Sequence, residues 1–241
     1  MGNITTQAVV LRRAEYREND RMLTLLTPEW GRVDALARGC RRPGSPLLSA
    51  AELFAYGEYV LYQGKGRAGV VSCQLIDSFY PLREDYDRLR YASYMLQTLG
   101  AQAVPGERTK ELFLLLVRSL KRVCYLPLDP RAVTAAFLLM DAALSGYRPR
   151  LHHCVRCGKR LEEGQPVFFD IEEGGLCCRD CVSSERPALP VTNGEVLWMR
   201  DVLRVCIEKT ERPAEDAPLP LLIKYLEARL DTRLPSGRSL Q

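Results

Sequence analysis

The chain changes its hydrophobic period along its length. Over the first eighty residues, apolar and polar positions alternate in short runs rich in β-branched and aromatic side chains: Ile4 to Leu11, Met22 to Thr27, Arg32 to Ala37, Phe54 to Tyr62 and Ala68 to Asp77. Turn-forming clusters separate them: Arg17-Glu18-Asn19-Asp20, Pro28-Glu29-Trp30-Gly31, Arg42-Pro43-Gly44-Ser45-Pro46 and Gln63-Gly64-Lys65-Gly66. Alternation punctuated in this way predicts strands. Five strands in so short a stretch suit a small closed or nearly closed barrel, which leaves few exposed sheet edges. An OB-fold is the leading expectation and an SH3-like barrel its rival.

From Pro81 the period moves toward 3.6. Leu89, Met95, Leu96 and Leu99 recur at helical spacing, with Gly100 placed to weaken the helix end. A second helix is expected from about Arg108 to Cys124, stopped by Pro127. A third opens with Asp129 as N-cap and Pro130 at the first helical position, and ends near Ser145-Gly146. Residues 151–190 break the pattern with cysteines, glycines and short apolar pieces. Thr192 with Glu195 three residues on then forms a capping box for a helix over Val196 to Ile207, and Pro218-Leu219-Pro220 leads into Leu221 to Leu230. The expected fold is multidomain, α and β: an N-terminal OB-fold β-barrel at 1–80, then an α-helical domain at 81–241 with a cysteine knuckle inserted at 151–190.

Nine cysteines qualify this picture. The chain is longer than a usual disulfide scaffold, and Met1 to Thr6 shows neither the basic nor the apolar region of a secretory leader. Reduced, cytoplasmic thiols are expected. Cys154-Val155-Arg156-Cys157 and Cys178-Arg179-Asp180-Cys181 are two Cys-x2-Cys pairs, and Gly158 allows the first loop to turn its amides toward sulfur. Phe168-Phe169 and Gly174-Gly175 read as a hairpin that brings the second pair opposite the first. Four thiolates can close on one tetrahedral ion and fill its shell, so one structural Zn²⁺ per chain is expected, with Cys154, Cys157, Cys178 and Cys181 as ligands. Cys177, His152 and His153 are adjacent alternatives. Cys40, Cys73, Cys124 and Cys206 fall in barrel or helix segments, where cysteine behaves as a small hydrophobe.

Composition excludes disorder: 46% of residues are hydrophobic and 27% charged. The net charge of +4 hides a gradient. Residues 1–80 carry 10 basic and 8 acidic groups, 81–150 carry 11 and 7, 151–190 carry 5 and 7, and 191–241 carry 8 of each. The excess lies in the first 150 residues. In the barrel, Arg12, Arg13, Arg17, Arg21, Arg32, Arg38, Arg41, Arg42, Lys65 and Arg67 fall at strand ends and loops. A cationic groove interleaved with rings is how OB-folds track single strands. Tyr16, Trp30, Phe54, Tyr56, Tyr59 and Tyr62 are the available rings, with core packing as their ordinary alternative. No His-x-Glu precedes the cysteine pairs, and no Walker A, GxGxxG or nucleophile elbow occurs, which argues against an enzyme. A zinc-containing protein-interaction scaffold and a metal-dependent nucleic-acid enzyme are the alternatives to a DNA-binding protein without catalytic activity.

Three stretches then converge. Ala8 to Leu11, Tyr16 to Arg32 (YRENDRMLTLLTPEWGR) and Ala37 to Ser45 (ARGCRRPGS), followed by Pro81 to Asp85 and Gly174 to Cys181, resemble the RecO family of bacterial recombination-repair proteins over nearly the whole chain. The resemblance implies an OB-fold followed by a helical domain carrying a zinc knuckle, and no catalytic turnover. It implies binding to single- and double-stranded DNA, annealing of complementary strands, contact with the C-terminal tail of SSB, and work with RecR that indirectly loads RecA. Carried over to matching positions, the resemblance makes Arg21, Arg38, Arg41 and Arg42 phosphate contacts, and Arg12, Arg13, Arg32 and Lys65 join them as candidate DNA contacts from their place at strand ends and loops. A basic, apolar pocket near Arg118, Lys121 or Arg122 would suit the SSB tail.

Overall fold

A computed structural model describes residues 2–64, 67–205 and 212–240. Its first element, β1 (Gly2–Arg17), is sixteen residues long and serves two neighbours. Its N-terminal half pairs antiparallel with β4 (Tyr56–Gln63), from Gly2 opposite Gln63 to Val9 opposite Tyr56. Its C-terminal half pairs with β2 (Asp20–Thr27), from Val9 opposite Leu26 to Arg17 opposite Asp20. β3 (Gly31–Ala37) follows β2 antiparallel, and β5 (Ala68–Asp77) lies between β3 and β4. The short parallel contact of Ala35–Leu36 with Ala68–Gly69 completes a closed barrel of order β1-β2-β3-β5-β4.

Period-two alternation fills the barrel from within. Ala8, Val10, Leu23, Leu25, Ala35, Tyr59 and Leu61 form its core. The segment between β3 and β4, read from its prolines and glycine as a separator, is instead a plug. Successive turns (Ser45 N to Arg42 O 3.0 Å, Leu48 N to Ser45 O 3.1 Å, Ala51 N to Leu47 O 2.9 Å) aim Leu47, Ala50 and Ala51 into the same core. Tyr59 Oη, buried under the plug, donates to Ala50 O at 2.7 Å. The predicted strand start at Phe54 also shifts. Phe54 has φ 70°, and residues 54–55 exchange hydrogen bonds with Val10 at the β1 bulge, so β4 begins at Tyr56.

Two helices complete the first compact unit, Met1–Leu126, which extends past the change of hydrophobic period near residue 80. Asp85 caps α1 (Tyr86–Gln102) by accepting from Arg88 N at 3.1 Å, and the helix runs through Gly100 rather than fraying there. α2 (Lys110–Tyr125) is tied to the barrel through Thr109, whose hydroxyl donates to Thr27 O at 2.8 Å. Tyr56 and Phe113 meet edge to face at 6.0 Å. The helices explain why Val9, Leu11 and Leu26, on the outer side of the strands, are buried as well.

Among its described residues the second unit, Pro127–Gln241, holds three α-helices and a small sheet. α3 (Pro130–Leu144) opens on Asp129, which accepts from Arg131 N at 2.7 Å. β6 (Val167–Asp170), β7 (Gly175–Cys178) and β8 (Leu189–Val191) form an antiparallel sheet with β6 central. The capping box before α4 (Asn193–Val205) is reciprocal: Thr192 N donates to Glu195 Oε2 at 2.8 Å and Glu195 N to Thr192 Oγ1 at 3.1 Å. α5 (Leu219–Arg229) presents Leu222, Ile223, Tyr225 and Leu226 to the interior, and Tyr225 meets Phe169 edge to face at 5.2 Å. Cys206 and the predicted continuation of α4 lie outside the described residues. No helix among the described residues is long and apolar enough to cross a membrane.

Candidate functional site

Local geometry brings the two cysteine pairs together. In the first, Cys154 N donates to Lys159 O at 2.8 Å and Gly158 N to Cys154 O at 2.9 Å, a tight loop that Gly158 permits at φ 77°. In the second, Cys178 ends β7 and a 3-10 turn, Arg179–Cys181, returns Cys181 beside it. Val155 N donates to Leu176 O at 2.8 Å, which lays the first loop along β7. The Sγ atoms of Cys154, Cys157, Cys178 and Cys181 all lie within 4.8 Å of one another. Cys157 and Cys178 are 3.8 Å apart, nearly twice the roughly 2.0 Å of a disulfide. That separation is the edge of a tetrahedron whose arms are the roughly 2.3 Å of a zinc–thiolate bond, about 3.8 Å. The donor set therefore fits a tetrahedral metal ion.

The electrostatics point the same way. Burial pushes the Cys154 thiol up, but the amides of Cys178, Cys157 and Arg156 outweigh it and bring it down to about 6. The amide of Cys178 reaches Cys154 Sγ at 3.4 Å. Burial pushes Cys178 up, and hydrogen bonds from Cys178 and Cys157 push Cys181 up. Four sulfurs this close cannot all ionise without a cation among them. Cys177 is buried and lies outside the cluster, because successive residues of β7 face opposite sides. His152 and His153 are exposed and also outside it.

The basic residues of the barrel divide into two groups. Arg13 and Arg21 share Glu52, Arg21 at 2.5 Å, and Arg21 also donates to Ala51 O at 3.2 Å. Register explains this: Arg21 continues the inward-facing row of Leu23 and Leu25, and Arg13 stands opposite Leu23, so both reach the barrel mouth over the plug. Arg32 pairs with Asp34 at 2.9 Å and Arg41 with Glu15 at 3.3 Å. Arg12, Arg38 and Arg42 are exposed, and among the described residues no carboxylate pairs with them. Lys65 lies outside the described residues.

One ring stands among these cations. Tyr16 is 44% exposed, with the guanidinium carbons of Arg17 and Arg67 at 5.6 and 5.5 Å from its centroid. The turn that follows it is hydrogen-bonded to the turn after β3, Gly39 N to Asp20 Oδ1 at 2.8 Å and Arg41 N to Asn19 O at 3.1 Å. Tyr16, Arg17, Arg38 and Arg42 thereby gather at one end of the barrel. Phe54, Tyr56 and Tyr59 are buried and serve the core, whereas Trp30 and Tyr62 are exposed at 41% and 44%. Nothing in the sequence marked Glu52 and Glu15 as charge partners, nor Arg67 as a neighbour of Tyr16, 51 positions away. Only alternation along β1 and β2 hinted that Arg13 and Arg21 face inward. Of the helix cations, Arg118 and Lys121 are exposed and Arg122 is buried.

Known proteins sharpen this arrangement. The family model described as "Recombination protein O N terminal" matches residues 1–79, and that described as "Recombination protein O C terminal" matches 83–238. The chain is similar to the DNA repair protein RecO of Desulfitobacterium hafniense, 37% identical over 88% of this chain and 78% of that protein. It is 35% identical to the DNA repair protein RecO of Alkaliphilus metalliredigens over 95% of this chain and 94% of that protein. The corresponding protein of Symbiobacterium thermophilum is 30% identical over 100% and 97%. With both family models together spanning nearly its whole length, the chain belongs to the RecO family of DNA repair and recombination proteins, which are mediators rather than catalysts.

Proposed function

We infer that this protein is a cytoplasmic recombination mediator. It binds single- and double-stranded DNA through its barrel, anneals complementary strands and, with RecR, helps load RecA on SSB-coated single strands. The observation that carries the reading is the gathering of exposed Arg38 and Arg42, without a carboxylate partner among the described residues, at the end of the barrel where Arg17 and Arg67 neighbour the Tyr16 ring, on a chain of this family; Arg12 on β1 adds a further exposed cation. The closed order β1-β2-β3-β5-β4 supports reading the barrel as an OB-fold. Phosphates answered by exposed guanidinium groups leave bases accessible to a second strand, as annealing requires. Tyr16 offers a surface on which one base stacks.

Four thiolates at this spacing support Zn²⁺ as the ion, and a shell they fill would leave no position for an activated water. Cys154, Cys157, Cys178 and Cys181 would hold it, and its contribution is to lock the two loops of the second unit.

The test is annealing of complementary labelled strands by the purified full chain, with a gel shift at low salt and metal analysis alongside. Annealing without nucleotide and close to one zinc per chain are expected. Strand cleavage in Mg²⁺ or Mn²⁺ would assign the chain to the enzymes, and absence of DNA binding at low salt would make it a protein-interaction scaffold.

A further inference from the structure

The metal loops have a second connection that involves no sulfur. Arg156 sits between Cys154 and Cys157, yet its guanidinium belongs to a different network. Its Nε donates to Asp170 Oδ2 at 2.7 Å, and Nη2 lies 2.7 Å from the same oxygen. Nη1 donates to Cys181 O and, at 2.9 Å, to Arg186 O, while Nη2 donates to Pro187 O at 3.3 Å. Asp170 Oδ1 in turn accepts from Glu173 N at 3.0 Å, which fixes the β6–β7 turn. The two side chains are 8% and 5% exposed. Arg156 thus carries the first ligand loop, Asp170 anchors it to the central strand, and the carbonyl of Cys181 is a backbone atom of the second loop.

We propose that Arg156, anchored by Asp170, is a positioning residue of the metal centre, which holds the two Cys-x2-Cys loops at ligating separation through the Cys181 carbonyl. The proposal rests on the metal reading above. Its physical basis is the shape of the group: a planar fork with five donors can satisfy one carboxylate and three carbonyls at once, which an ammonium cannot. Groups outside the coordination shell that orient ligands typically account for about 10- to 100-fold in metal affinity. Two other arginines tie the knuckle to its helices and do not cross between the loops. Arg200 of α4 donates to Leu151 O at 2.6 and 3.0 Å, and Arg229 of α5 donates to the carbonyls of Ile171 and Glu172.

The test uses the full chain and cobalt(II), whose absorption reports a tetrahedral thiolate shell, together with zinc transfer to a chromophoric chelator. The variant is Arg156→Met with Asp170→Asn, which avoids a buried unpaired charge and keeps an acceptor for Glu173 N. It should keep the wild-type cobalt spectrum and helical circular dichroism but bind about 10- to 100-fold more weakly and release zinc faster. Arg156→Lys retains the charge and should recover only part of that loss. Wild-type affinity and release in the double variant, or full recovery with lysine, would overturn the positioning role. A wild-type chain that takes up no cobalt would sink the metal centre and this proposal with it, an outcome distinct from the other two.

Discussion

Replacing Arg12, Arg38 and Arg42 together with alanine should flatten the salt dependence of single-strand binding. All three are exposed and without a carboxylate partner among the described residues, so each is free to replace a counterion on a phosphate. Each such contact contributes about 0.7 to the slope of log K against log salt on single strands, so three contribute about 2. Raising salt fourfold, from about 50 to 200 mM, should therefore cost the variant about 20-fold less affinity than it costs the wild type. The assay is fluorescence anisotropy with a labelled oligonucleotide across that range. A charge-neutral control, Arg32→Gln with Asp34→Asn, removes an existing ion pair and should leave the slope unchanged. Tyr16→Ala should lower affinity at every salt concentration with no change of slope, because stacking releases no counterion. Equal slopes for the triple variant and the wild type, or an equal loss in the control, would refute the assignment of phosphate contacts to these three arginines.

Gly31→Ala should destabilise the first unit by roughly 2 kcal/mol or more in chemical denaturation, since Gly31 has φ 61° and an added Cβ would meet Val104 O and, at 2.7 Å, Glu107 O; a loss under about 0.5 kcal/mol would show that the helix connection yields easily. Asp170→Asn should flatten the acid limb of the stability curve. Burial alone would raise Asp170, but the Glu173 amide and Arg156 hold it below the usual carboxylate range. A carboxylate so depressed adds stability above its unfolded value, near pH 4, and loses it as pH falls through the folded value. Unfolding midpoints measured downward from about pH 5 should therefore converge for variant and wild type, and parallel curves would contradict this.

What the sequence determined on its own was whatever is local. The two Cys-x2-Cys loops carry their own turn chemistry, so the spacing and Gly158 sufficed to name the four sulfurs that the structure gathers within 4.8 Å. The capping box at Thr192 and the Asp129-Pro130 start were legible for the same reason, since a helix terminus is satisfied by residues within one turn. Alternation located β2 to β5 to within two residues, but it stopped β1 at Leu11 and so did not show that this strand would be long enough to serve two neighbours, and it gave no signal for β8. What only the tertiary structure decided was the fate of side chains with long-range partners. Counting arginines could not distinguish Arg13 and Arg21, which share Glu52 at the barrel mouth, from Arg12, Arg38 and Arg42, which face solvent. Nor could it place Arg67 beside Tyr16, or Arg156 against Asp170 and the carbonyl of Cys181. Charge is a property of composition, whereas its availability to a phosphate or a metal loop depends on which carboxylates and carbonyls the fold brings within about 3 Å.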